Sequence, residues 1–65
     1  MDPEVLALIE RAETSLRRLV HELQRQPSTW EDRARVLLAL QEIATNLVDA
    51  SRRFAEQLSR EAGER

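Results

Sequence analysis

Between Val5 and Leu23 the apolar residues recur at alternating intervals of four and three: Val5, Ile9, Ala12, Leu16, Leu19 and Leu23. That rhythm is a heptad seam, with Ile9, Leu16 and Leu23 at a and Val5, Ala12 and Leu19 at d. The pattern breaks at "QRQPSTWED" and resumes as Leu37, Leu40, Ala44, Leu47, Ser51, Phe54 and Leu58. Counting seven back from Leu37 lands on Trp30. Val36, Ile43 and Ala50 add a second stripe on one side, and Val48 and Ala55 widen the first on the other. The pattern predicts an all-α chain with no strand, in a single domain over 1–65. Helix 1 is expected at about 3–26, a turn at 27–28 and helix 2 at about 29–62.

The ends of these segments carry matching chemistry. Asp2 can cap the first helix and Pro3 can occupy its first turn, where a missing N–H costs nothing. Pro27 biases Gln26 away from helical geometry. "STWE" fits a capping box, with Ser28 as N-cap and Glu31 reaching back. Trp30, on the seam, is expected to close the end of the bundle over Leu23. Five acid–arginine pairs at i,i+4 support the helices: Glu13–Arg17, Glu31–Arg35, Asp49–Arg53, Glu56–Arg60 and Glu61–Arg65. Each contributes only about 0.2–0.5 kcal/mol. "SREAGER" loses the pattern, so the helix is expected to fray around Gly63.

Two helices joined by a short turn return antiparallel. Pairing outward from the turn sets Leu23 near Val36 and Leu37, Leu19 near Leu40, and Leu16 near Ile43. Small Ala12 then meets Leu47, and Ile9 meets Ala50 and Ser51, a size complementarity that supports the register. A hairpin needs one narrow stripe per helix, yet helix 2 carries a stripe three to four heptad positions wide. Leu6, Leu8 and Val20 flank that of helix 1. The surplus predicts a homodimer forming a four-helix bundle. A higher oligomer, or a groove for a helix of another protein, are the alternatives. The expected core and dimer interface comprises Val5, Ile9, Leu16, Leu19, Leu23, Trp30, Leu37, Leu40, Ile43, Leu47, Phe54 and Leu58. Leu38 stands off the stripe as a candidate for a further contact.

Length sharpens this expectation. Sixty-five residues without cysteine have neither a disulfide nor a thiolate metal site to reinforce a small core. Association is the remaining reinforcement. Ten basic residues, all arginine, are interleaved with twelve acids for a net charge of −2. Bulk attraction to nucleic acid or membrane is therefore not expected. The exclusive use of arginine fits the coding bias of a GC-rich genome, and it favours forked contacts to carboxylates. No apolar run approaches the roughly 20 residues of a membrane span and no signal pattern opens the chain, so a cytoplasmic protein is expected.

Candidate chemistry is sparse. His21 lies at an f position, and its neighbours three and four residues away are Arg17, Arg18, Gln24 and Arg25, none of them an orienting carboxylate. Ser15, Ser28, Ser51 and Ser59 have no base beside them. The seam holds no paired carboxylates, and "HELQ" lacks the Glu-x-x-His order of a bundle metal site. No catalytic residue, cofactor, metal or small-molecule substrate is expected, and the chain is read as a non-enzyme.

Arg11, Arg18 and Arg25, seven apart, form a polar stripe on helix 1, with Arg17, Thr14 and His21 beside it. As a possible face for an anionic partner, Arg11, Arg17, Arg18 and Arg25 make RNA or DNA binding the alternative function. In size and architecture the chain resembles the small plasmid RNA-regulating hairpin dimers, which grip paired RNA loops with an outer helical face. This stripe, however, has no aromatic for base stacking. "ERAETSLRRL" followed by "DRARVLLALQEI" resembles the helical hairpins that dimerise and dock the ends of modular synthase polypeptides, which implies a dimerisation or docking role. A designed scaffold is a further alternative: the caps, short turn and clean seam satisfy design rules. Thr14, Thr45, Asn46 and Ser59, at exposed positions, are weaker helix formers than a designer selects.

Overall fold

The computed structural model describes residues 2–63 and forms an antiparallel hairpin of two helices in contact, α1 (Pro3–Gln24) and α2 (Trp30–Gly63). Among the described residues there is no strand, and no helix is long and apolar enough to cross a membrane. The expected Glu61–Arg65 pair lies outside the described residues.

Asp2 opens α1. One carboxylate oxygen accepts the Glu4 N–H at 2.9 Å, and Pro3 occupies the first turn. The other oxygen accepts from the Gln57 side chain at 2.6 Å, so one residue both caps α1 and ties it to α2. Arg53 of α2 pairs with Glu4 one turn further in. Both of these side chains are half or more exposed, so the pair fixes the register more than it adds stability. With Gln57 opposite Asp2, the remainder of α2 runs past the start of α1.

α1 stops two residues earlier than the pattern suggests. Gln26 takes a left-handed conformation (φ 56°) and its N–H donates to the Leu23 carbonyl at 3.0 Å. This is the inner bond of a Schellman-type ending, and the outer one cannot form because Pro27 has no N–H. The left-handed region costs an L-residue about 1–2 kcal/mol. Gln26→Gly is therefore expected to stabilise the hairpin by roughly 0.5–1 kcal/mol in guanidinium unfolding.

The second helix is capped one residue later than "STWE" implies. Thr29, not Ser28, is the N-cap: its hydroxyl accepts the Asp32 N–H at 3.1 Å, and its carbonyl accepts from Arg33 at 3.1 Å. Thr29-x-x-Asp32 and Ser28-x-x-Glu31 are overlapping frames, and the five-residue connection 25–29 selects the later one. Thr29→Ala is expected to cost about 1 kcal/mol in the same assay, and Ser28→Ala under about 0.5 kcal/mol.

Among the described residues the ion pairs are Glu13–Arg17, Asp32–Arg35 and Glu4–Arg53. Arg35 thus pairs with Asp32 instead of Glu31, and Arg53 crosses to α1 instead of meeting Asp49. Thr14 and Thr45, weak helix formers by type, return their hydroxyls to the carbonyls of Glu10 and Gln41. Such back-bonding satisfies each hydroxyl at a small cost to the helix.

The seam between the helices is narrow. Val5, Ala12 and Leu19 from α1 meet Ile43 and Ala50 from α2, all 6 % exposed or less. Val36 and Ala39 pack against this core, and Leu8, Ser15 and Asn46 border it half-buried. Alanines at Ala12, Ala39 and Ala50 let the backbones approach closely. The heptad register therefore holds along the axis, but the helices are turned about it. The d line of α1 and the second stripe of α2 face one another. Ile9, Leu16 and Leu23 stay out of this seam, as does the Leu37-to-Leu58 line.

Candidate interaction face

That rotation creates the chain's dominant surface feature. Ile9, Leu16 and Leu23 on α1, and Leu40, Leu47 and Phe54 on α2, are 42–48 % exposed. Leu6 and Val20 flank them on α1, and Leu37, Val48 and Leu58 on α2, at 48–55 %.

These residues share one side of the hairpin, as helix geometry requires. At 100° per residue, the line of Ile9, Leu16 and Leu23 lies about 40° from the buried line in α1, and that of Leu40, Leu47 and Phe54 about 50° from it in α2, in the same rotational sense along each chain, with the flanking residues further round. Because the helices are antiparallel, equal rotations in that sense bring both lines to the same side. The exposures agree: residues beside the inter-helix groove (Leu40, Leu47, Phe54) are less exposed than those on the outer line (Leu37, Leu58).

The opposite side is polar. Arg11 and Arg18 line a shallow groove with Glu10, Glu42 and Asn46, and Arg18 also borders Glu22 and Arg35. Arg25 sits in a recess at the turn with Glu22, Asp32 and Arg35. Arg17 points elsewhere and pairs with Glu13 at 3.5 Å. The four arginines picked out for an anionic partner are thus not gathered into one patch. α2 places Glu42 against Arg11 and Arg18, which a reading of α1 alone could not reveal.

Of the expected core and interface residues, Val5, Leu19 and Ile43 are buried within the hairpin. Ile9, Leu16, Leu23, Leu37, Leu40, Leu47, Phe54 and Leu58 form the apolar face. Trp30, expected to close the bundle's end over Leu23, begins α2 and is 78 % exposed. Leu38 is 64 % exposed and lies off the face. His21 is exposed on α1. Among the described residues no three His, Asp or Glu side chains are grouped so as to hold a metal ion. Comparison with protein-family models, with curated proteins and with solved structures finds no match.

The face is large relative to the molecule. Its eleven apolar residues expose on the order of 900 Å², close to what each partner contributes to a stable protein interface. The chain's total accessible surface is 5571 Å², whereas a globular chain of 7.5 kDa has about 4,200 Å². Its radius of gyration is 15.8 Å, against about 11 Å for a compact domain of this length. Both excesses have one cause: two helices side by side are a single layer, and a core needs a second.

Proposed function

We propose that the chain is a non-enzymatic interaction module that pairs with a second copy of itself through the apolar face. The product is a four-helix bundle serving dimerisation, docking or assembly. The observation that carries this reading is the continuous face of Ile9, Leu16, Leu23, Leu40, Leu47 and Phe54, half-exposed in a single hairpin. Within one chain only three large side chains, Val5, Leu19 and Ile43, are buried among the described residues. Fully burying such a side chain is worth about 1.5–3 kcal/mol. Below about 70–80 residues a single core rarely supplies more than roughly 3–5 kcal/mol, so a chain with three such side chains inside needs reinforcement. A second hairpin laid on the face supplies the missing layer, and a second copy is self-complementary there because the patch meets itself.

Association of this kind couples folding to concentration. The thermal midpoint followed by circular dichroism is expected to rise steadily as the chain is raised from about 1 to about 100 μM. A fully helical chain whose midpoint does not move over that range would exclude the dimer.

A further inference from the structure

Resting on that dimer reading, we infer that the two copies lie antiparallel, related by a two-fold axis passing near Leu47, with Arg33 of each chain facing Glu61 of the other.

The basis is a near-palindrome along α2. The line bordering the groove reads Arg33, Leu40, Leu47, Phe54, Glu61 in steps of seven. Its centre is Leu47. Leu40 and Phe54, both large, lie one heptad to either side, and a positive and a negative charge end the line two heptads out. The outer line reads Leu37, Ala44, Ser51, Leu58, which is large, small, small, large about nearly the same centre. An antiparallel two-fold at Leu47 maps Leu40 onto the level of Phe54, Ala44 onto that of Ser51 and Leu37 onto that of Leu58. Small residues meet small ones, so the helices can approach evenly along the contact.

The charges decide the direction. Arg33 and Glu61 occupy positions on the apolar line where a leucine would otherwise be expected, and both are exposed. Among the described residues Arg33 has no ion-pair partner in its own chain. A parallel pair brings Arg33 to the level of Arg33 and Glu61 to that of Glu61 across the bundle's diagonal, with no opposite charge facing either. The antiparallel pair sets each against its opposite, twice, and like charges juxtaposed across an interface are a strong selector of orientation. In that arrangement the segment of α2 beyond Gln57, which overhangs α1, covers the turn end of the partner's face.

The chain has no cysteine, so single thiols report the geometry directly. Arg33→Cys and Glu61→Cys chains are treated with a short bis-maleimide, separately and as an equimolar mixture annealed from denaturant. The mixture is expected to give a covalent dimer carrying one of each thiol, at least tenfold more than either chain alone. In a parallel pair positions 33 and 61 lie about 42 Å apart along the axis. Each variant would then link to itself and the mixed product would be absent, overturning the inference. So would a dimer by sedimentation that links in no combination. A chain that sediments as a folded monomer fails the dimer reading itself, before orientation arises. As a second check without thiols, Arg33→Glu and Glu61→Arg are each expected to weaken the dimer, and the double variant to restore it. A double variant no tighter than either single one also contradicts the pairing.

Discussion

Leu47→Glu is expected to abolish the dimer and, with it, most of the helicity at micromolar concentration. In an isolated hairpin this substitution is close to neutral, because Leu47 is 47 % exposed and glutamate is a good helix former. In the proposed bundle, Leu47 lies at the centre of the apolar face, and a carboxylate there would be buried without a partner. Leaving an uncompensated charge inside costs about 3–5 kcal/mol, or two to four powers of ten in the dissociation constant. The two-fold presents the charge once from each copy, so the pair also repels. Leu38→Glu is the control: Leu38 is an equally apolar residue of the same helix, 64 % exposed and off the face, where an effect within about 0.5 kcal/mol is expected. Sedimentation velocity with circular dichroism on the same samples separates the outcomes. Equal behaviour of the two variants would mean that the face is solvated in the working protein.

Leu19→Ala is expected to be the most damaging truncation within the hairpin itself, costing about 2–5 kcal/mol in guanidinium unfolding. Leu19 is 3 % exposed and packs with Ala12 and Ile43 against Val36 and Ala39. With so few large residues in the seam, no neighbour can fill the void. The converse change, Ala12→Leu, is expected to destabilise by about 1–3 kcal/mol through overpacking, because Ala12 marks a close approach of the two helices. A neutral result at both positions would show that the helices meet along a different pair of stripes.

The two helices and the order of pairing along them were legible because spacing along a helix is a one-dimensional property. Asp2 capping α1 was readable in the same way. The rotation of the helices about their axes was not. α2 is apolar around roughly half its circumference, from Ala39 through Leu47 to Val48, and either edge of that arc can face α1 on hydrophobicity alone. What decides between them is size. The alanines at Ala12, Ala39 and Ala50 permit the closer contact, and the bulky Leu40, Leu47 and Phe54 are left beside it. Trp30, one heptad before Leu37 on the outer line, is 78 % exposed in the single hairpin: extending a seam by sevens gives height along the axis but says little about direction at a helix's first residue. The cap at Thr29 was obscured by two capping frames one residue apart, separated only by the left-handed turn at Gln26. In the polar groove, Glu10 and Glu22 share α1 with Arg11 and Arg18 while Glu42 joins them from α2, so the full acidic complement there emerges only once the helices are paired.

Sedimentation equilibrium of the unmodified chain at micromolar concentration, with helicity recorded on the same sample, addresses the central claim most directly. A helical species at twice the chain mass of 7.5 kDa, dissociating on dilution with loss of helix, is the predicted result. A fully helical species at the mass of one chain would contradict it.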